Sequence, residues 1–599
     1  MNITKSIFVD YCKYPKLARW KVNNPKVYKK IRKIETEEQE ENIMAIGQSV
    51  EDKVKELLEL EYQTIALDLM PRFTVLKNIA DQEDGTDEES DENNEYEILT
   101  KLELDLPKAI AETLQAMRDH VPVLYQPTFK YKNCLVRGDF MVWNGSSYDL
   151  IEVKAKSGIR EKVTDDKEEK PIGTIKKDLI ADVSFQAYVI NNVLAEHNMG
   201  QIWSVFFAYL NKEYIKQWPI NIRSLILKDL AGVSREIEII QRNKPTTKII
   251  NDMLIPVSEV ERKIELIKEY ITLSEHNANE KFKWWGLKYT EYFWEDKPFG
   301  TVMGMGIHHS NASHISDLYY QWSINISDLT DSEIDGFKDN GQQFIHKYLD
   351  CKKSGQPIIH EDTIKEIFDG FQYPICFYDY ETINTPVPVM DTTRPYMQTI
   401  VQYSLHKYYE DGSMKHYGGV LTGLWEYSCT DVTIDNNPNR VAEEYDKAIT
   451  WHYKDLLKQM LADIGDDLMT STFIVRYKHF ENTRNKDVAK LFPDLEDDFL
   501  AINERTYDLM DIVAKWYYFD PACKGSASIK KVLPALVPWM DYTTLEIGRW
   551  DIAMRKLYDL IVDKVPPEER EDVIKNLLLY CWQDTLAMVK IYEALKEMI

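Results

Sequence analysis

The fold turns on "PICFYDYETINTPVPV", Pro374 to Val389. Ile375, Cys376, Phe377 and Tyr378 are what a sheet interior takes, so the run reads as a buried strand. Asp379 and Glu381 interrupt it, and a carboxylate in such a place loses its hydration. Side chains alternate along a strand, so both acids project from one face. They repel one another unless a cation lies between them. The stretch therefore predicts a sheet-centred domain carrying an acidic, cation-holding site.

Other pieces of that site are sought downstream. "DVIKNLLLYCWQDTLAMVKIYEAL" has strong helical periodicity, and Pro566-Pro567-Glu568-Glu569 before it is a good helix start. Tyr580 and Asp584 are four apart on it and share a face. "STFIVRYKHFENTRNKDVAKLF" reads as strand, turn and helix, with Glu481 near the turn. Asp508 in "TYDLMDIV" is a further carboxylate downstream of it.

A second acidic pattern lies far upstream, in "CLVRGDFMVWNGSSYDLIEVKAK". Two β-rich arms flank Asn144-Gly145-Ser146-Ser147, a hairpin signal. A loop centred on Gly145-Ser146 sets Trp143 against Tyr148 and Asp139 against Glu152. Like charges facing each other cost roughly 0.2–1 kcal/mol even at a surface. A divalent cation shared by Asp139 and Glu152 would turn that repulsion into attraction. Lys154, two residues on, shares the face and could neutralise charge on a phosphate under attack. The E-x-K triplet alone decides little, since it recurs at Glu51-Asp52-Lys53 and Glu295-Asp296-Lys297; the hairpin register distinguishes this copy.

Bulk properties bound the answer. At 599 residues, two to four domains are expected, and 44% hydrophobic with 29% charged residues is a globular composition. No run of about 18 apolar residues appears, so no membrane partner is expected. The opening "MNITKSIFVDYCKYPK" lacks the apolar core of a secretory signal. The seven cysteines are scattered with no C-x-x-C pair, which argues against zinc or an iron–sulfur cluster and for a reducing, cytoplasmic setting. Neither acidic pattern uses Cys or His, and all-oxygen ligands suit Mg²⁺ or Mn²⁺.

A formal charge of −26 does not suit a protein that coats nucleic acid, but the charge is uneven. Residues Tyr11 to Lys33 hold nine Lys/Arg and no acid, interleaved with Tyr14, Trp20 and Tyr28. Lys16, Arg19, Lys29 and Lys30 could track a phosphate backbone there, or form a solvated helix face. Lys530 and Lys531 in "GSASIKKVLPALVP" are further phosphate candidates. Residues 81–97 carry ten acids and no base, and read as a solvated loop.

These motifs resemble two nuclease families. Asp139, Glu152 and Lys154 resemble the D…E-x-K set of PD-(D/E)xK nucleases, and roughly residues 1–210 look like the RecB-like branch. "GQSVEDKV" resembles its G-x-x-x-(H/E) element, which implicates Glu51. "DVSFQAYV" resembles its glutamine motif, which implicates Gln186 and Tyr188, although that motif usually reads Q-x-x-x-Y. The downstream motifs resemble, in order, the DnaQ/RNase-T-like 3′–5′ exonucleases of the ribonuclease H-like fold, in their DEDDy form. That resemblance implies that Asp379, Glu381, Glu481 and Asp584 hold two divalent metals and that Tyr580 orients the attacking water. The central motif departs: the fourth carboxylate that the resemblance implies is expected to be Glu481, where the family carries Asp, with Asp508 as the reserve. The whole order also looks like an uncharacterised bacterial two-nuclease family.

The expectation is thus an α/β chain in three parts: a PD-(D/E)xK restriction-endonuclease-like domain over 1–275, a helical or mixed connector over 276–370, and a ribonuclease H-like exonuclease domain over 371–599. Helices are expected from about 156 to 275. The resemblance implies a nuclease acting on DNA, as single strands or ends, ahead of RNA, in repair or in defence against foreign DNA. No P-loop occurs, so a helicase or other ATPase would be a separate partner. The rivals are a nucleic-acid-binding scaffold with one or both sites inactive, and an RNA exonuclease.

Overall fold

The computed structural model describes residues 2–32, 37–70, 73–76, 101–162, 172–241, 244–274, 300–304, 324–422, 452–540 and 549–599, with positions 277, 311, 314, 315, 317, 318, 546 and 547. The acidic run 81–97 lies outside them. The chain is mixed α/β and divides into two compact units: Met1–Tyr214 with Ile220–Lys283, and Ile215–Pro219 with Trp284–Ile599.

The first unit opens with helices α1 (Lys5–Lys13) and α2 (Glu37–Tyr62). Its main sheet has six strands, β1 (Leu67–Asp68), β2 (Val123–Tyr125), β3 (Phe140–Trp143), β4 (Tyr148–Lys154), β5 (Val205–Leu210) and β6 (Ile226–Ala231), lying side by side in chain order. Strands β3 and β4 form an antiparallel hairpin, and β4 runs parallel to β5. The crossover between those two parallel strands is helix α3 (Lys177–Glu196). Phe8 of α1 stacks on Phe185 of α3 with ring centroids 4.9 Å apart, in a core shared with Met141 and Leu150 of the hairpin. Burying each such large apolar side chain stabilises the fold by roughly 1.5–3 kcal/mol.

Two features differ from expectation. Residues 205–251 hold strands where helices were expected. "VFFAYL" (β5) is a central strand with Val205, Phe207, Ala208 and Leu210 all buried, so it lacks the alternation that separates a strand from a buried helix. The stretch 276–370 is also not a separate connector, because from Trp284 on it belongs to the second unit. Val302, Ile326, Phe344 and Ile345 there share a core with Phe519, and Phe344 meets Phe519 edge-on at 5.4 Å.

The second unit is built on five strands: β7 (Ile375–Ile383), β8 (Thr399–Tyr408), β9 (Met414–Val420), β10 (Phe473–Val475) and β11 (Thr506–Asp508). Their order in the sheet is β9-β8-β7-β10-β11. The first three form an antiparallel meander, and β7, β10 and β11 run parallel. Helix α4 (Lys478–Leu491) lies between β10 and β11 in the chain; α5 (Ile529–Leu536), α6 (Trp550–Ile561) and α7 (Arg570–Glu597) follow β11. Strand β7 is buried throughout: Cys376, Tyr378 and Tyr380 enter one core, and Ile375 and Phe377 enter another with Met588 and Tyr592 of α7. A sheet covered on both faces needs a continuous apolar run, which is why β7 does not alternate. Among the described residues no helix is long and apolar enough to cross a membrane.

Candidate functional sites

The acidic hairpin of the first unit is set by its turn. Asn144 Oδ1 accepts from the backbone N–H groups of Ser146 and Ser147, and Gly145 takes φ +98°, which a side chain would resist. The register that follows pairs Trp143 with Tyr148 and Phe140 with Ile151, so one step further brings Asp139 across from Glu152. Both side chains are buried, and Asp139 Oδ2 accepts from the Val153 N–H at 2.7 Å.

Cations and an amide converge on Glu152. Lys154 donates to its Oε1 at 2.6 Å, Lys5 to both oxygens at 2.9 and 3.2 Å, and Gln186 Nε2 to its Oε2 at 2.7 Å. Lys5 also stands 3.6 Å from Asp139. Asp182 ties the far side together, accepting from Lys154 at 2.7 Å and from Gln186 at 2.9 Å. Glu51 of α2 accepts from Tyr125 and Gln126 and contributes to the field at Asp139. Burial alone would raise the Glu152 carboxyl, but Lys154 and Lys5 hold it well below the usual range. Burial and the facing Glu152 push Asp139 up to about 7. Burial opposes the charge on Lys154, yet Glu152 and Asp182 outweigh it and the ammonium is held firmly charged.

Asp139, Glu152, Lys154, Gln186 and Glu51 are thus brought together, and Tyr188 is not. Two helix positions are about 200° apart, so Tyr188 faces away from Gln186, against Tyr131 and Glu261. The expected basic strip is also different. Arg19 donates to the carbonyls of Tyr270 and Ile271 at 3.0 Å, capping a helix end, and Lys16 and Tyr14 are buried. Lys29 is exposed, and the Lys30 side chain lies outside the described residues. Two members of the cluster went unread in the sequence. Asp182 is four residues before Gln186 on α3, a spacing that could have flagged it. Lys5 has no local signal: its place comes from parallel pairing of Ile3 and Thr4 with Cys134 and Leu135.

In the second unit, β7 carries Asp379 opposite Ser404 and Glu381 opposite Gln402, with a bulge immediately after Glu381. Helix α7 brings Tyr580 and Asp584 to this strand, and the first turn of α4 brings Glu481. All four acids are buried. Arg476, one residue past β10, reaches into the cluster: one nitrogen, Nη2, lies 3.1 Å from Asp379 Oδ2 and 3.2 Å from Asp584 Oδ2. Cys581 is also present, its Sγ and single oxygens of Asp379 and Glu381 lying within 4.8 Å of one another.

One guanidinium does not balance four acids. Burial pushes Asp379 up to about 6 despite Arg476, with Asp584 adding to the rise. Burial and Asp379 push both Glu381 and Glu481 well above the usual carboxylate range. Burial and the neighbouring Asp584 drive the Tyr580 hydroxyl upward, so it stays a neutral donor. Glu381 Oε1, Glu481 Oε2 and the Tyr580 hydroxyl are buried with no hydrogen-bond partner among the described residues. Buried polar atoms in native folds are normally satisfied, and orphaned carboxyl oxygens beside other carboxylates fit a divalent cation with oxygen ligands.

Asp508 is not part of the cluster. Its two oxygens accept from the Lys478 and Met510 N–H groups at 2.9 and 3.0 Å, so it caps the start of α4. Lys530 of α5 is near enough to act on Glu381, whereas Lys531 is exposed. Arg476 and Cys581 went unread. A charge directly after the fully buried "FIV" of β10 was the available signal for the first, and a place between Tyr580 and Asp584 for the second.

The family described as "Domain of unknown function (DUF2779)" matches residues 376–528, a span that includes Asp379, Glu381, Arg476 and Glu481 and stops short of Tyr580 and Asp584. The chain is 26% identical over 274 residues to the uncharacterized protein UU173 of Ureaplasma parvum serovar 3, covering 43% of this chain and 36% of that one. It is 23% identical over 270 residues to the uncharacterized MG366 homolog of Mycoplasma pneumoniae, covering 43% and 37%. The matched part therefore spans little more than a third of the length of these relatives. No solved structure matches the chain.

Proposed function

We propose that the chain is a metal-dependent nuclease with two phosphodiester-hydrolysing centres, a RecB-like PD-(D/E)xK site in the first unit and a DnaQ-like 3′–5′ exonuclease site in the second. The observation that carries this reading is the second cluster. Four acids from three distant parts of the chain are buried together, and one oxygen each of Glu381 and Glu481 has no hydrogen-bond partner among the described residues. Burying them in this way is costly unless cations bind there.

The sheets support the same reading. The order β9-β8-β7-β10-β11, with β8 antiparallel to its neighbours and acids on the first strand, is what a ribonuclease H-like core requires. In the first unit, a hairpin bearing Asp139, Glu152 and Lys154 is followed by a crossover helix bearing Gln186, which suits a PD-(D/E)xK core.

Divalent cations of the Mg²⁺ or Mn²⁺ class would be held by Asp139 and Glu152, and by Asp379, Glu381, Glu481 and Asp584, and would supply an acidified water and a counter-charge for the leaving oxygen. The chain's own groups do the rest. Gln186 fixes the Glu152 carboxylate, and Lys154, held charged, meets negative charge growing on the scissile phosphate. The neutral Tyr580 hydroxyl donates to or accepts from the incoming water. Phosphate-bearing DNA, as single strands or ends, is the proposed substrate, with a separate helicase or ATPase supplying it. The six described cysteines are all free, in keeping with a reducing, cytoplasmic setting.

End-labelled single- and double-stranded DNA, and RNA in parallel, would be incubated with Mn²⁺ and the intact chain, Lys154→Ala or Asp379→Ala. Label release that each variant loses in part assigns one activity to each unit. Binding with no cleavage by any of them refutes the proposal. That outcome would favour the second reading, a nucleic-acid-binding scaffold, for which the Arg476 guanidinium between Asp379 and Asp584 speaks.

A further inference from the structure

The second centre already contains a cation. Arg476 lies between Asp379 and Asp584, its Nη2 3.1 Å from Asp379 Oδ2 and 3.2 Å from Asp584 Oδ2, so one guanidinium nitrogen is shared by two carboxylates. Both carboxylates are almost fully buried, while the arginine side chain is 24% exposed. Its chain neighbour Tyr477 is 58% exposed, so a way out to solvent lies beside it. Arg476 itself lies between β10 and α4, in neither element.

Charge counting sets what happens when metal enters. Asp379, Glu381, Glu481 and Asp584 supply four negative charges once ionised. Two divalent cations supply four positive charges, and the guanidinium is then surplus, repelled at short range by ions that compete for the same oxygens. The other groups facing it are Glu381, Glu481, Tyr580 and Cys581, with Lys530 acting on Glu381 from α5. Of these, the two carboxylates would be taken up by metal and the rest are neutral or cationic, so none among the described residues offers the displaced arginine a new anionic partner. A phosphate at the mouth of the site does, and guanidinium suits phosphate geometry.

Resting on the nuclease reading above, we propose that Arg476 is a resident counter-cation: metal must displace it from Asp379 and Asp584, and it then pairs with a phosphate of the bound nucleic-acid end. Metal and nucleic acid therefore load this site cooperatively. By linkage, each tightens the other by the same factor.

The test is calorimetric titration of the full-length chain with Mn²⁺, with and without a phosphorothioate-protected single-stranded DNA. Uptake at this site is the part removed by Asp379→Asn. In the wild type the oligonucleotide tightens this uptake about tenfold or more, and Arg476→Gln binds Mn²⁺ about tenfold tighter without DNA and loses most of the coupling. Equal Mn²⁺ affinity in wild type and Arg476→Gln overturns the proposal while leaving the metal site standing. No Asp379-dependent uptake in any protein overturns both. Wild-type crystals soaked in Mn²⁺ give an arm that does not depend on the variant folding. There the guanidinium leaves hydrogen-bond distance of Asp379 and Asp584, and manganese bound with the bridge intact overturns the proposal.

Discussion

Asp139 and Glu152 face each other across one hairpin, yet their carboxyl groups are driven in opposite directions. Asp139 is pushed up to about 7, while Glu152 is held far below the usual range. The difference lies in what each touches. Glu152 takes Lys154, Lys5 and Gln186, whereas Asp139 has a backbone N–H and only the outer reach of Lys5. The two carboxyls are thus driven apart by their surroundings, the kind of divergence that perturbed acids in functional sites often show.

Lys154 is central to that balance, so Lys154→Met should destabilise the first unit. It strips one cation from Glu152 and the cation bonded to Asp182, while Lys5 stays. Breaking a buried pair from one side costs about 3–5 kcal/mol, and the remaining lysine brings this to the lower end, about 3 kcal/mol. Amide exchange of β4 under increasing urea reports the first unit alone. Unchanged protection of Leu150 to Val153 would mean that Lys154 is no structural counter-ion.

The second unit should lose stability as pH rises in the absence of metal. Asp379 titrates at about 6 when folded, against about 3.9 in an unfolded chain, so between these values the folded state binds more protons. Its stabilising contribution is complete below about pH 4 and is lost as pH rises through about 6, on the order of 2–3 kcal/mol. Glu381 and Glu481, raised further, extend the loss to higher pH. Metal-free Tm should fall between about pH 5 and pH 8, and Mn²⁺ should restore it more at the higher pH, because binding selects the deprotonated acids. A metal-free Tm that climbs steadily over that range would contradict the burial of these groups.

Much of both sites was legible because it rests on short-range rules. The Asn144–Ser147 turn dictates the register that sets Asp139 against Glu152, and strand alternation puts Asp379 and Glu381 on one face. What stayed hidden depends on pairing between remote segments. Lys5 reaches Glu152 only because Ile3 pairs with Cys134, and Arg476 reaches Asp584 only because β10 lies beside β7. Arg19 looked like a phosphate contact because composition records charge, while its Nη1 donates to the carbonyls of Tyr270 and Ile271. The strand β5 was misread because a short apolar strand buried on most of its length and a buried helix share one apolar signature.

Asp508 and Asp584 should separate cleanly as cap and ligand. Asp508→Ala removes the acceptor for the Lys478 N–H at the start of α4 and that for the Met510 N–H after β11, and should cost about 1 kcal/mol, with Mn²⁺ uptake unchanged. Asp584→Asn should abolish uptake at the second centre while leaving α4 intact. Calorimetry on both variants decides the matter: loss of manganese binding in Asp508→Ala would return Asp508 to the site.

Glu481 offers the sharpest test of the fourth carboxylate. Burial and the neighbouring Asp379 hold it well above the usual range, so without metal it is a neutral acid that can donate to Asp379. Gln has the same shape and can also donate there, so Glu481→Gln should change metal-free stability by less than about 1 kcal/mol. It cannot supply an anionic oxygen, however, and Mn²⁺ affinity at the second centre should drop about tenfold or more. A variant that unfolds easily yet binds manganese as before would make Glu481 a structural acid and leave the centre with Asp379, Glu381 and Asp584 alone.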